Sequence, residues 1–177
     1  PLRKPLLKID PVLLATNNLA RMRSYRTTGY TSLSKAELIK QKEHFKDHME
    51  LYTFLQATFA FYIDEDAQKV LSLIPDAASQ DIFSPLEFSR QALRGMALNI
   101  LSDPSEEEFW KEMLGGANSF YQRPVVELAL AQYYEKNAQL FKVFMKGSMI
   151  NDSYIRKILL FKVASKKMLR EQLKNIE

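Results

Sequence analysis

Cysteine is absent from this 177-residue chain. That absence removes disulfides, thiolate zinc sites, cysteine-ligated iron-sulfur clusters and cysteine nucleophiles together. Glycine is scarce, and Gly29, Gly95, Gly115, Gly116 and Gly147 form neither G-x-G-x-x-G nor G-x-x-x-x-G-K-[ST], so no phosphate-cradling loop is encoded. A G-x-S-x-G nucleophile elbow is missing as well. Long apolar runs are also lacking. The longest, Leu51 to Ile63, is interrupted by Thr53, Gln56 and Thr58, and a membrane-spanning helix needs about 20 apolar residues. No transmembrane span and no cofactor are expected.

What is present fits a folded protein. Hydrophobic residues make up 46% of the chain and aromatics 11%, against a net charge of only +4. Disorder needs the opposite combination of low hydrophobicity and high net charge. The length suits one sizeable core, so the expectation is a single all-α domain over residues 1–177, with about seven helices as an irregular helical bundle or stacked helical hairpins. Within it, residues 1–33 form a basic N-terminal arm and first helix, and residues 34–177 the main body.

Helix starts are the clearest local signals. Ser34 and Glu37 have the spacing of a capping box, in which each side chain meets the other residue's backbone amide, and Leu33 and Leu38 flank it as a hydrophobic staple. Ser84 and Glu87 repeat the pattern between Phe83 and Phe88, with Pro85 at the first helical position. Asp10-Pro11 opens a first helix, with Val12, Ala15, Leu19 and Met22 inward, running to about Arg23. From Lys35 a stripe of Leu38, Phe45, Met49, Tyr52, Leu55 or Gln56, Phe59 and Ile63 predicts one long helix unless it breaks. Asp64-Glu65-Asp66 starts a short helix stopped by Pro75. Rows Phe88, Ala92, Met96, Ile100 and Leu93, Ala97, Leu101 follow after Ser84. Asp103-Pro104 starts a helix with Phe109, Trp110, Met113 and Leu114, for which Gly115 is the expected left-handed cap. Val125 to Tyr134 is apolar on nearly every side and reads as a central helix. Further helices are expected through Leu140 to Met145 and from about Asn151 through Met168. The starts near 10, 34, 64, 84, 103, 124 and 151 are unevenly spaced, which excludes a constant repeat.

Charge is polarised along the chain. Residues 1–50 hold ten basic and five acidic groups, whereas residues 64–108 hold three and ten. Basic ends enclose an acidic middle, a layout that serves complementary contact between molecules or forms plain solvated faces. Residues 1–36 carry seven basic groups against the single acid Asp10, the composition of a mitochondrial transit region or a basic surface arm. Mitochondrion or cytoplasm is the expected location.

Three functional readings follow. The first is a non-enzymatic helical protein-protein interaction or assembly module, a homodimer included, with an unidentified protein partner. Its contact candidates are Arg21, Arg23, Arg26, Tyr30, Trp110, Tyr121, Arg156 and Lys157, because Trp, Tyr and Arg dominate interface energetics, although Trp110 and Tyr121 are also, and more simply, what a helical core requires. The second is nucleic-acid binding through the basic arm and the C-terminal helix, although Asp152, Glu171 and Glu177 dilute that helix. Its apolar side, Tyr154, Ile158, Phe161 and Met168, also suits peripheral membrane contact or simple core packing. The third is a metal-dependent enzyme. His44 and His48 are one helical turn apart, but the segment lacks the glutamate of H-E-x-x-H and matches H-x-x-E-H only with Asp47 in its place. Elimination favours the first.

Overall fold

The structure, a computed structural model, describes residues 9–76, 84–117 and 122–136. The expectations for helices through Leu140 to Met145 and from Asn151 onward lie outside the described residues. Within them the chain is all-α: α1 (Pro11–Thr28), α2 (Lys35–Lys40), a 3-10 turn (Gln41–Phe45), α3 (Met49–Tyr62), α4 (Ala67–Leu73), α5 (Pro85–Leu101), α6 (Glu106–Gly116) and α7 (Gln122–Lys136). None of the described helices is long and apolar enough to cross a membrane. Two compact units emerge, Pro1–Asp76 with Ser89–Leu101, and Ala77–Phe88 with Ser102–Glu177.

In the first unit, α1 starts where Asp10 accepts from the Val12 amide at 2.8 Å, with Pro11 opening the helix. It runs five residues past Arg23 and stops at Gly29, whose φ of +66° returns its amide to the Tyr25 carbonyl at 2.7 Å. A Cβ at Gly29 would meet no atom within 4 Å, so only backbone strain opposes a side chain there. Gly29→Ala is therefore expected to lower unfolding free energy by about 1 kcal/mol, read by urea denaturation. A neutral result would show that the helix ends without the left-handed cap.

The long helix anticipated over residues 35–63 is broken. α2 ends at Lys40, a 3-10 turn follows, and α3 begins only at Met49. Between Gln41 and His48 the sole apolar side chain is Phe45, so a straight helix would bury little there. The bend instead buries Phe45 completely, with its ring 5.7 Å from that of Tyr52. Met49, expected inward, is exposed as a result.

α3 is the helix buried on two sides. Tyr52, Leu55 and Phe59 join Ala15, Met22, Leu33, Leu38 and Phe45 in one cluster. Ala57 and Ala60 join Ala67, Val70, Ile74, Leu93 and Ala97 in a second. Of the two rows expected on α5, Leu93 and Ala97 face this core, whereas Met96 and Ile100 are exposed. Side chains of α5 also complete the end of α4. Arg94 Nη1 donates to the Ile74 carbonyl at 2.8 Å and Gln91 Nε2 to the Pro75 carbonyl at 3.2 Å. Backbone acceptors left open at a helix terminus are thereby satisfied.

In the second unit, α6 begins with Glu106, Glu107 and Glu108, acids that suit the positive end of the helix dipole. Its buried face is Phe109, Trp110 and Met113. Gly115 is not the left-handed cap that was expected; the helix continues through Gly116, and Gly29 is the glycine with positive φ among the described residues. α7 takes Pro124 in its first turn and buries Val126, Leu130, Ala131 and Tyr134. Val125 is 44% exposed, so α7 is one-sided rather than central. Pattern alone could not separate these cases, because alanine and valine fit either environment.

Candidate functional site

Most of the residues singled out from the sequence are structural, exposed singly, or outside the described set. Arg21 is a tie within the first unit. Its Nη1 and Nη2 donate to the two Glu37 carboxylate oxygens at 2.7 and 2.9 Å, and its Nε donates to Ser32 Oγ at 2.9 Å. This two-pronged geometry is what guanidinium offers a carboxylate, and it fastens α1 to α2. Only half of the expected capping box therefore forms. Ser34 accepts from the Glu37 amide at 3.1 Å, while the Glu37 side chain turns to Arg21.

The Arg21 hydrogen bond holds the Glu37 carboxyl below its ordinary value, against a smaller opposing effect of burial. A depressed carboxylate pKa contributes stability that is present above the unfolded-state value and lost as pH falls through the folded one. Glu37→Gln is thus expected to flatten the loss of stability with acidification, from the ordinary carboxylate range downward, in thermal melts at a series of pH values. An unchanged acid slope would mean that the pair contributes nothing.

Arg23 and Tyr30 are exposed. Tyr121, Arg156, Lys157 and the side chain of Arg26 lie outside what is described. Trp110 is 2% exposed and sits edge-on to Phe109, with ring centroids 5.4 Å apart, so its position in the fold is core rather than surface. His44 lies in the 3-10 turn and His48 in the non-helical residue before α3, both exposed. The one-turn spacing no longer places them on a shared helix face. Among the described residues no three His, Asp or Glu side chains gather as a metal-ligand group.

The arrangement that the sequence did not reveal is a groove in the first unit, open to solvent and about 540 Å³ in volume. It is lined by Tyr25 of α1, Phe61 and Tyr62 of α3, Glu65 of the following turn, Ala67 of α4 and Ile100 of α5. The Phe61 and Tyr62 rings meet edge to face at 5.0 Å. Ile100 is 59% exposed although it is large and apolar. The turn after α3 shapes one side of the opening. Glu65 has a φ of +53°, and the chain reverses so that the Asp66 amide reaches the Ala60 carbonyl at 2.9 Å.

The three acids of this turn do different work. Asp64 pairs with Lys35 Nζ at 3.0 Å, and Asp66 caps α4 by accepting from the Lys69 amide at 2.9 Å. Glu65 has no hydrogen bond or ion pair among the described residues. The strained residue of the turn is thus the one whose carboxylate is available beside the aromatic wall.

The second unit has a polar node of its own. Tyr134 donates to Glu107 Oε1 at 3.1 Å, and Lys111 Nζ lies 3.1 Å from the same oxygen. Burial first, and Glu107 second, push the Tyr134 hydroxyl above its ordinary range. Its acceptor is consumed in tying α6 to α7.

Among the described residues the fold is all-helical, in two units, and the first carries a surface cleft lined by aromatics and one acid. Scans of family models, of curated proteins and of solved structures each return no match to the chain.

Proposed function

We propose that this chain is a non-enzymatic helical interaction module whose first unit receives a protein partner in the groove between α1, α3, α4 and α5. The open aromatic groove, with the exposed Ile100 in its lining, carries the reading. Apolar aromatic concavities with few polar groups are where helix faces and peptide segments dock. A large exposed aliphatic beside tyrosines is the composition of an interface centre, not of ordinary solvated surface. Self-association belongs to the same reading, with a second copy as one such partner.

The experiment is site-directed photo-crosslinking in cells. A benzophenone amino acid at position 100 is expected to give one discrete adduct, and the same group at Glu50 none, because Glu50 is exposed at the far end of α3, about 15–20 Å along the helix from Phe61. A band of twice the chain's mass identifies a second copy. Equal adducts from both positions, or none from position 100, would overturn the proposal.

A further inference from the structure

We infer that the groove is selective for a basic amphipathic segment of a partner protein, one that presents a lysine or arginine beside its apolar side chains. This rests on the interaction-module reading and adds the chemistry of the partner. Tyr25, Phe61 and Tyr62 put three aromatic rings on one opening, and aromatic faces attract ammonium and guanidinium groups. Glu65 adds a carboxylate that is unpaired among the described residues, while the acids on either side of it are engaged. None of the six lining residues is cationic, so an acidic segment finds no counter-charge in the lining.

Size and shape favour a segment over a free small cation. A volume of 540 Å³ accommodates several side chains, and Ala67 and Ile100 add aliphatic lining to that of the three rings. The open form lets a chain cross the cleft with its charged head at Glu65. A segment lying this way buries apolar stems against Ile100 and keeps its cation at the wet edge.

Fluorescence anisotropy with two labelled model peptides tests this on the full chain. One is an amphipathic helix of leucine and lysine, and the other is its leucine and glutamate counterpart. The whole chain carries a net charge of +4, so unspecific attraction draws the acidic peptide; a preference for the basic one has to arise locally. The lysine peptide is expected to bind about tenfold more tightly, and Glu65→Gly to weaken it about tenfold, the scale of one partly desolvated cation contact. Glycine suits the φ of +53°, so circular dichroism should show this variant fully folded. Equal affinity for the two peptides, or unchanged binding by Glu65→Gly, overturns the inference. If neither peptide binds while position 100 still crosslinks, the partner chemistry is wrong and the module reading stands. Should the crosslink fail too, both fall.

Discussion

Phe45→Ala is expected to destabilise the protein by about 3–5 kcal/mol, the range for emptying a fully buried aromatic site. The ring is completely buried, lies against Tyr52, and shares a cluster with Met22, Leu33, Leu38 and Leu55. Its position in a 3-10 turn makes the loss larger than that of a helix residue with apolar neighbours in sequence. Every other side chain from Gln41 to His48 is polar or charged, so none can turn inward to fill the cavity. Phe45→Leu should recover more than half of the loss, since a conservative volume change costs about 1.5 kcal/mol or less. Denaturant titration followed by circular dichroism gives both values. An effect below about 1 kcal/mol for Phe45→Ala, the level of an ordinary substitution, would show that the bend does not depend on its plug.

Trp110→Ala is the second large effect, also about 3–5 kcal/mol, but its informative partner is Trp110→Phe. The indole is 2% exposed and its Nε1 has no hydrogen-bond acceptor among the described residues. A buried donor left without a partner costs about 1–3 kcal/mol, so phenylalanine removes a penalty while leaving a smaller void. Trp110→Phe is expected to stay within about 1.5 kcal/mol of the parent. Should it match the alanine variant, the indole nitrogen has an acceptor after all. Because this is the sole tryptophan, its emission reports the second unit alone. Burial predicts a blue-shifted spectrum that iodide does not quench until that unit opens.

The helical class and several boundaries were legible for reasons that live in neighbouring residues. Asp10, Ser34 and Ser84 do place their oxygens on the amides two or three residues onward, and α4 ends just before Pro75. Capping is chemistry within one turn of chain, so one turn of sequence reveals it. The broken second helix was not legible. Leu38, Phe45, Tyr52 and Phe59 recur every seven residues and are all buried, a spacing that a continuous helix and this bent one share. Tertiary packing of Phe45 on Tyr52 decided between them.

The groove was still less accessible to reading along the chain. Its residues come from four helices and a turn, and periodicity says which face of each is apolar, not where those faces leave a gap. Ile100 continues the regular row of Phe88, Ala92 and Met96, and Glu65 belongs to the acidic run that opens α4, so neither stands out along the chain. Val12 misled in the same way: it continues the apolar stripe of α1 yet is 58% exposed, while Asn18 is buried and donates to Gln41 at 2.6 Å. A buried amide with a fixed partner is a property of two helices at once, which no single segment announces.

The first unit is discontinuous in sequence, and this bears on how the chain is made and how it can be cut. Ser89–Leu101 belongs to it, although residues 77–88 belong to the other unit. A nascent chain that has emerged only as far as Asp76 still lacks Leu93 and Ala97, so Val70 and Ile74 are not yet covered, and the carbonyls of Ile74 and Pro75 just past α4 await Arg94 and Gln91. Vectorial folding of this unit therefore waits for residue 101 to leave the ribosome. Expression fragments should respect the same limit: a boundary at Asp76 divides one core, whereas a boundary after Leu101 keeps it whole.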